Sequence, residues 1–357
     1  MTRAVDARID LSALRHNLRQ VRLLAPNAKV TAIIKANAYG HGLVRAARAL
    51  DEADAFGVAC VEEAIILREA EISKPIILLA GFFEAVELEL ACKHDLSIVI
   101  HHPSQVEHLE RTTFKQPIKV WLKIDTGMHR LGISPDMALS VWQRLNQLAA
   151  VVKPIGLMTH LASADDLVSD QTPMQLECFD RIVAGLPGEQ SIANSAAILA
   201  WPLAHRQWVR PGLMLFGVSA MDIPDSINLK PVMTLTSRLI AINQFKAGSA
   251  IGYNATFVCP QDMPVGVVSI GYGDGYPRHA APGTPVLIKG QRVPLIGRVS
   301  MDTICVDLRD HPNAAIGDVV ELWGSNLSVA EVAQQAGTIA YELLCKVTNR
   351  VKFFTAD

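Results

Sequence analysis

The sequence predicts an α/β fold: a closed (β/α)8 barrel of the TIM type over residues 1–225, followed by an all-β domain over residues 226–357. Three observations predict it. Eight short β-rich runs alternate with helical periods through the first part of the chain. Several of those runs are apolar throughout, as strands covered on both faces of a parallel sheet are. Beyond residue 228 the helical periods nearly vanish while β-rich runs continue at short spacing.

At the N-terminus Leu11, Leu14, Leu18 and Val21 recur at helix spacing, and either Asp10 or Ser12 can cap that helix. The strand runs are KVTAIIKA (29–36), AFGVACV (55–61), KPIILLAG (74–81), LSIVIHH (96–102), IKVWLKID (118–125), VVKPIGLMTHLA (151–162), EQSIANS (189–195) and WVRPGLMLFG (208–217). Between them GLVRAARALDEA, EEAIILREAEI, EAVELELACKHD, PSQVEHLERTTF, PDMALSVWQRLNQLA, TPMQLECFDRIVAGL and SAAILAWP read as helices. Eight such units fill a barrel of roughly 200–250 residues. An open doubly wound sheet is the competing solution, weakened because no GxGxxG follows the first run. MDIPDSIN (221–228) reads as a linker, and in the remainder of the chain only SVAEVAQQA (328–336) looks helical.

Composition narrows the function. Half of the 357 residues are hydrophobic, enough for a substantial core, which excludes a disordered chain. A net charge of −2 implies no basic face for nucleic acid or anionic lipid. The apolar run PIILLAGFF is about half the length that a membrane span needs. MTRAVDARIDL carries charges where a signal peptide has its apolar stretch, so a cytoplasmic protein is expected. Six cysteines without a CxxC pair, and histidines without HxH or HExxH spacing, give no reason to expect a disulfide framework or a catalytic metal. GYGDGYP (271–277) lacks nucleotide-loop spacing and reads as a tight turn, and GxSxG is absent.

Barrels place their chemistry where strands end, on the carboxyl face. Lys35, Arg130, His160, Asn194, Ser195 and Arg210 fall at or after successive strand ends, so one pocket receives them all. Lys35 follows the apolar run VTAII; a lysine among apolar walls has a lowered pKa, as attack on an aldehyde requires. A snorkelling rim lysine fits the local sequence equally well. Ser195 and Gly212 together suit a phosphate, with ordinary helix capping by Ser195 the plainer alternative.

AIIKANAYGHG (32–42) resembles the pyridoxal-phosphate attachment segment of the alanine racemase family. The likeness continues through KIDTGMHRLG (123–132), MTHLASAD (158–165), NSAA (194–197), VRPGLMLFG (209–217), IGYNATF (251–257), GYGDGYPR (271–278), GRVSMDT (297–303) and YELLC (341–345), in order and across both domains. The overall look is nearest the catabolic type of Gram-negative bacteria. The resemblance implies a pyridoxal 5'-phosphate enzyme interconverting L-alanine and D-alanine as a head-to-tail homodimer, for cell-wall supply or alanine catabolism.

Residue by residue, the resemblance implies that Lys35 carries the cofactor and acts as one base. Tyr253, presented by the partner subunit, is the other. Arg210 faces the pyridine nitrogen and His160 bridges it to Tyr253. Tyr39, Ser195, Gly212, Leu213 and Tyr341 bind the phosphate, with Asn194 beside them. Arg130 orients the phenol and the cofactor, the amide of Met301 meets the substrate carboxylate, and Asp302 adjoins it. Lys123 is a carbamylation candidate that steadies Arg130. Asp165, Tyr272, Arg278 and Arg298 line the entry corridor. The related barrel decarboxylases carry another acid in place of Tyr253, barrel-only cofactor carriers lack a second domain, and broad-specificity racemases usually carry an export signal.

Overall fold

The computed structural model describes residues 4–114, 116–221 and 227–356; the centre of the expected linker, residues 222–226, lies outside them. β1 (Asp6–Asp10) runs into α1 (Leu11–Leu24). Of the two candidate caps Asp10 is the one used: its carboxylate accepts the Ala13 N–H at 2.9 Å. Ala13, Leu14, Leu18 and Val21 are the buried face of α1, as the spacing predicts.

Eight parallel strands then close a barrel: β2 (Lys29–Ile33), β3 (Ala55–Val58), β4 (Ile76–Leu78), β5 (Leu96–Ile100), β6 (Lys119–Lys123), β7 (Gly156–Met158), β8 (Gln190–Ser191) and β9 (Trp208–Val209). Each lies within one of the expected runs. Closure is through β2 and β9, with Lys29 opposite Trp208 and Val30 opposite Val209. The helices are α2 (Lys35–Tyr39), α3 (Leu43–Ala49), α4 (Val61–Glu69), α5 (Ala85–Lys93), α6 (Pro103–Arg111), α7 (Pro135–Gln147), α8 (Gln171–Val183) and α9 (Ser195–Ala200). Seven of these were expected; α2 was not.

Inward side chains alternate along each strand. The lower interior is filled by Ala55, Ile77, Val99, Trp121, Met158 and Trp208, the two indoles meeting edge to face at 6.1 Å. A Cβ on Gly156 would stand 2.4 Å from the Trp121 ring, so glycine is what lets that indole lie across β7. Above this plug the side chains turn polar, at the end where the strands finish.

The second sheet holds β10 (Met233–Phe245), β13 (Met263–Val268), β14 (Pro285–Ile288), β15 (Gln291–Ile296), β16 (Ile304–Asp307), β17 (Val319–Trp323) and β18 (Lys352–Ala356); β11 (Ala250–Ile251) and β12 (Phe257–Val258) form a separate hairpin. β1 joins this sheet rather than the barrel, antiparallel to β10 and parallel to β18. β10 is long enough to pair with β1 and β17 over its first half and β13 over its second, so the sheet wraps back on itself. The tight Lys289–Gly290 turn between β14 and β15 has positive φ at both residues, the hairpin geometry that its sequence suggests.

Among the described residues of this part there are two α-helices, not one: α10 (Val329–Gln335), as expected, and α11 (Ala340–Lys346). α11 packs on α2 at the barrel mouth. Gly40, with φ +79°, lies so near α11 that a Cβ there would be 2.1 Å from the Leu344 carbonyl oxygen. Positive φ and close backbone approach both select glycine at this junction.

Candidate active site

A cavity of about 520 Å³ opens at the carboxyl ends of the barrel strands. Its walls include Lys35, Tyr39, Lys123, Arg130, His160, Asn194, Ser195, Arg210, Gly212, Leu213 and Tyr341. Every site residue expected from the barrel segment except Asp165 is therefore gathered in one place, joined by Tyr341 from α11.

Lys35 stands just past β2, at the start of an unusual stretch of backbone. Ala36, Asn37, Ala38 and Tyr39 all have φ between +52° and +54°, so α2 is a left-handed turn. That conformation costs an L-residue roughly 1–2 kcal/mol, and it is held here by several partners. The Asn37 side chain accepts the Leu43 N–H at 2.8 Å, and Glu63 accepts the N–H groups of Asn37 and Ala59 at 3.3 and 2.9 Å. The turn buries Tyr39 beneath Gly212; a Cβ on Gly212 would be 2.5 Å from the Tyr39 hydroxyl.

Arg210 follows β9 and is only 6 % exposed. It donates to Ser191 Oγ at 2.7 Å, to the Thr159 carbonyl at 2.7 Å and to the Ile192 carbonyl at 3.1 Å. These bonds fix the guanidinium plane. Burial lowers its pKa to about 10, so it stays charged at neutral pH. His160 Nδ1 lies 3.4 Å from the same guanidinium, which only donates; Nδ1 therefore faces it as the acceptor and the ring proton sits on Nε2. Burial, then the Arg210 charge, hold His160 well below the usual histidine range.

The lysines respond alike. Burial, then Arg210 and Arg130, bring Lys123 down to about 8. Burial and the Arg130 charge lower Lys35, against the pull of Glu63 and Cys345. Arg130 is carried on a closed loop in which Asp125 Oδ1 accepts the N–H groups of Gly127, Met128 and His129 at 3.0–3.1 Å. Ser195 is not the cap of α9, contrary to the plainer expectation: Asn194 Oδ1 takes the Ala197 N–H at 3.0 Å. Ser195 Oγ instead accepts the Gly212 N–H at 2.9 Å, tying the two strand ends together.

The remaining expected residues lie elsewhere in the chain. Tyr253, in the turn after β11, is 63 % exposed and does not line the cavity. Tyr272, Arg298, Met301 and Asp302 are exposed and Arg278 half-buried, all in the second sheet's loops. There the Tyr272 N–H donates to the Ser300 carbonyl at 3.0 Å and the Gly273 N–H to the Met301 carbonyl at 2.9 Å. Asp165 is exposed near Tyr341, whose phenol is pushed up first by burial and then by that carboxylate.

Three participants were not foreseen from the sequence. Cys345 lines the cavity; its i,i+4 spacing from Tyr341 was the available signal. Thr159 contributes a carbonyl to Arg210. Buried Gln175 donates to Thr126 Oγ1 and the His160 carbonyl at 3.2 and 3.0 Å, and neither of those is foreshadowed by periodicity.

A group of this character has a pH signature. Below about pH 6.5 the imidazole of an unfolded chain takes up a proton that folded His160 refuses, so acid favours unfolding and stability falls with falling pH. His160→Gln is expected to flatten that acid limb in part, leaving the share of His41, which burial lowers to about 4. Urea unfolding of both proteins across this range checks it; an unchanged slope contradicts it.

Comparison with known proteins agrees with this geometry. Residues 9–220 match the alanine racemase N-terminal domain and residues 232–355 the alanine racemase C-terminal domain. The chain is 51% identical to an alanine racemase of Coxiella burnetii (strain RSA 493 / Nine Mile phase I) over 100% of both proteins. It is 53% identical to one of Nitrosococcus oceani over 97% of this chain and 98% of that one. The biosynthetic alanine racemase from Pseudomonas aeruginosa superposes with a TM-score of 0.96 at 44% identity, covering 99% of this chain and 100% of that one. For the alanine racemase from Acinetobacter baumannii the TM-score is 0.93 at 39% identity, with the same coverage. With both domains matched and the barrel-mouth cavity in place, the chain belongs to the alanine racemase family of pyridoxal-phosphate-dependent isomerases.

Proposed function

We propose that this chain interconverts L-alanine and D-alanine with pyridoxal 5'-phosphate in the barrel-mouth cavity, using Lys35 and Tyr253 as two bases on opposite faces. The observation that carries the reading is the cavity's wall: a lysine of lowered pKa, a buried fixed arginine and a glycine-floored pocket beside Ser195 and Tyr39. Those groups suit an anionic, phosphate-bearing aldehyde, and a side chain at position 212 would obstruct Tyr39. Lys35 would carry the cofactor, with Tyr39, Asn194, Ser195, Gly212, Leu213 and Tyr341 around its phosphate and His160 and Arg210 along its ring. Bound there, pyridoxal phosphate supplies an electron-withdrawing ring that stabilises negative charge at the substrate's α-carbon.

Racemisation needs a proton removed on one face and another delivered on the opposite face. A single base returns the proton to the side it came from; two bases exchange roles with substrate handedness. Lys35 Nζ serves one face, its pKa already lowered by burial. Tyr253 serves the other from the partner subunit, since its own chain leaves it exposed and away from the cavity. His160, with its proton on Nε2, is suited to donate to the phenol oxygen and so favour phenolate. The Met301 amide would meet the substrate carboxylate with Asp302 beside it, Arg130 would orient the phenol and the cofactor, and Asp165, Tyr272, Arg278 and Arg298 would form the approach. The assembly is a head-to-tail homodimer in the cytoplasm, and the same reaction serves D-alanine supply or alanine breakdown.

Shared sites make a specific demand. Mixing Lys35→Ala and Tyr253→Phe chains, each nearly inactive alone, is expected to restore about a quarter of parental racemase activity through random pairing. D-alanine formation from L-alanine reads the result. No recovery, with dimer exchange verified by mass, shows that Tyr253 does not act across the interface.

Arg210 controls the outcome as well as the rate. Always charged, it would keep a ring nitrogen placed against it unprotonated, which would limit charge delocalisation and favour prompt return of a proton to the α-carbon. Arg210→Glu is expected to lower racemisation and to raise pyridoxamine phosphate formed per turnover. An unchanged ratio of the two products rejects this role.

Lys123, brought down to about 8, holds a fraction of neutral amine at neutral pH and stands beside Arg130. A carbamate there would turn a repelling cation into an anion paired with Arg130. Equilibration with ¹³C-labelled carbon dioxide is expected to give a carbamate carbon resonance absent from Lys123→Met. Identical spectra for the two proteins overturn the assignment.

A further inference from the structure

We propose that His41 is a positioning residue, whose Nδ1–H clamps the left-handed turn Ala36–Tyr39 and so sets the places of Lys35 and Tyr39; this rests on the reading of those two residues given above. The side chain is fully buried. Nδ1 lies 3.0 Å from the Ala38 carbonyl oxygen and 2.8 Å from that of Tyr39. Both partners only accept, so Nδ1 carries the hydrogen and shares it between two consecutive carbonyls of the turn. Nε2 is buried without a partner, which suits a neutral ring with a bare nitrogen facing apolar surroundings. Burial, against the pull of those two carbonyls and with Arg45 adding to it, keeps the ring neutral until about pH 4.

The ring is held as firmly as the bond. It stacks on Phe216 at 4.5 Å between centroids, and Phe216 packs on Tyr39 at 4.9 Å. Tyr39 is thus fixed from two directions, its backbone carbonyl by His41 and its ring by the Phe216 that His41 stacks upon. Left-handed backbone at four successive side-chain-bearing residues persists only where surroundings over-determine it. Glu63 accepts the Asn37 N–H, and the carbonyls of Ala36, Asn37 and Ala38 accept the backbone N–H groups of Gly40, Gly42 and His41, whereas the Tyr39 carbonyl accepts from His41 Nδ1. Phe216 and the glycines at positions 40 and 42 supply no alternative donor to the Tyr39 carbonyl.

Two substitutions separate the clamp from simple packing. The side-chain amide nitrogen of Asn occupies nearly the place of a histidine Nδ1, whereas Leu fills volume without donating. In His41→Leu, amide hydrogen exchange of residues 36–42 in the cofactor-free protein is expected to accelerate about tenfold, as loss of one buried hydrogen bond implies. In the holoenzyme, kcat should fall at least tenfold and pyridoxal phosphate should dissociate faster. His41→Asn should return exchange and kcat to within about threefold of the parent. A folded His41→Leu protein with parental exchange at residues 36–42 overturns the clamp. So do Asn and Leu variants equally impaired in exchange. Altered exchange with unaltered kcat and cofactor dissociation leaves a turn clamped by His41 but refutes its positioning of Lys35 and Tyr39. Because the exchange measurement needs no cofactor, a parent protein that failed to racemise alanine would refute the functional reading without touching the clamp.

Discussion

Crowding of like charge at the barrel mouth is the constraint on which the rest of the site depends. Lys35, Lys123, Arg130 and Arg210 share one cavity with His160. Two unit charges 4 Å apart interact by about 4 kcal/mol at an effective dielectric of 20, so such a cluster cannot remain fully protonated and empty of anions at low cost. Arg210 keeps its proton, while the pKa values of the lysines and the histidine fall. Lys123 falls to about 8, Lys35 falls, and His160 is driven neutral, with burial the leading cause each time and neighbouring cations adding to it. Burial and repulsion together leave the Lys35 and Lys123 amines easier to deprotonate and so nearer to their reactive form.

Holding those charges together takes a rigid frame. Arg210 directs its donors to two carbonyls and a hydroxyl at the ends of β7 and β8. Ser195 ties the end of β8 to the segment after β9, Gln175 joins the loops after β6 and β7, and Asp125 folds the Arg130 loop upon itself. All of these except the Asp125 tie join neighbouring strand ends, which is why a barrel can present several cations at once without letting them splay apart.

How much of this was legible in the sequence is a matter of range. Strands buried on both faces write themselves as apolar runs, so all eight barrel strands stand within the runs read from sequence. Polar residues at their ends could be read for the same reason, because strand ends share one face of a barrel. What was not legible is non-local. The pairing of β1 with β10 and β18 depends on residues more than two hundred positions away. α11, of seven residues, is too short to announce itself and is stabilised by packing on α2. The left-handed turn in KANAYG contains one glycine, at its end, and of Ala-Asn-Ala-Tyr only Asn37 is of a type that readily adopts positive φ; at the other three positions it is imposed by the surroundings, Glu63, His41 and α11 among them.

That last dependence explains why the two parts of the chain are not interchangeable modules. α11 reaches the cavity of its own chain with Tyr341 and Cys345, and it does so over Gly40, where no larger residue fits between the left-handed turn and the Leu344 carbonyl. Tyr253, Tyr272 and Met301, in loops of the same domain, remain exposed and do not line the barrel-mouth cavity of their own chain. One side of the domain is therefore spent on completing the pocket beside Lys35, while the side that bears the phenol has its chemistry left outside. A domain built this way can serve two pockets only if a second barrel meets its exposed loops. In the head-to-tail dimer proposed above, the phenol of Tyr253 would reach a partner's cavity from the side that α11 does not occupy.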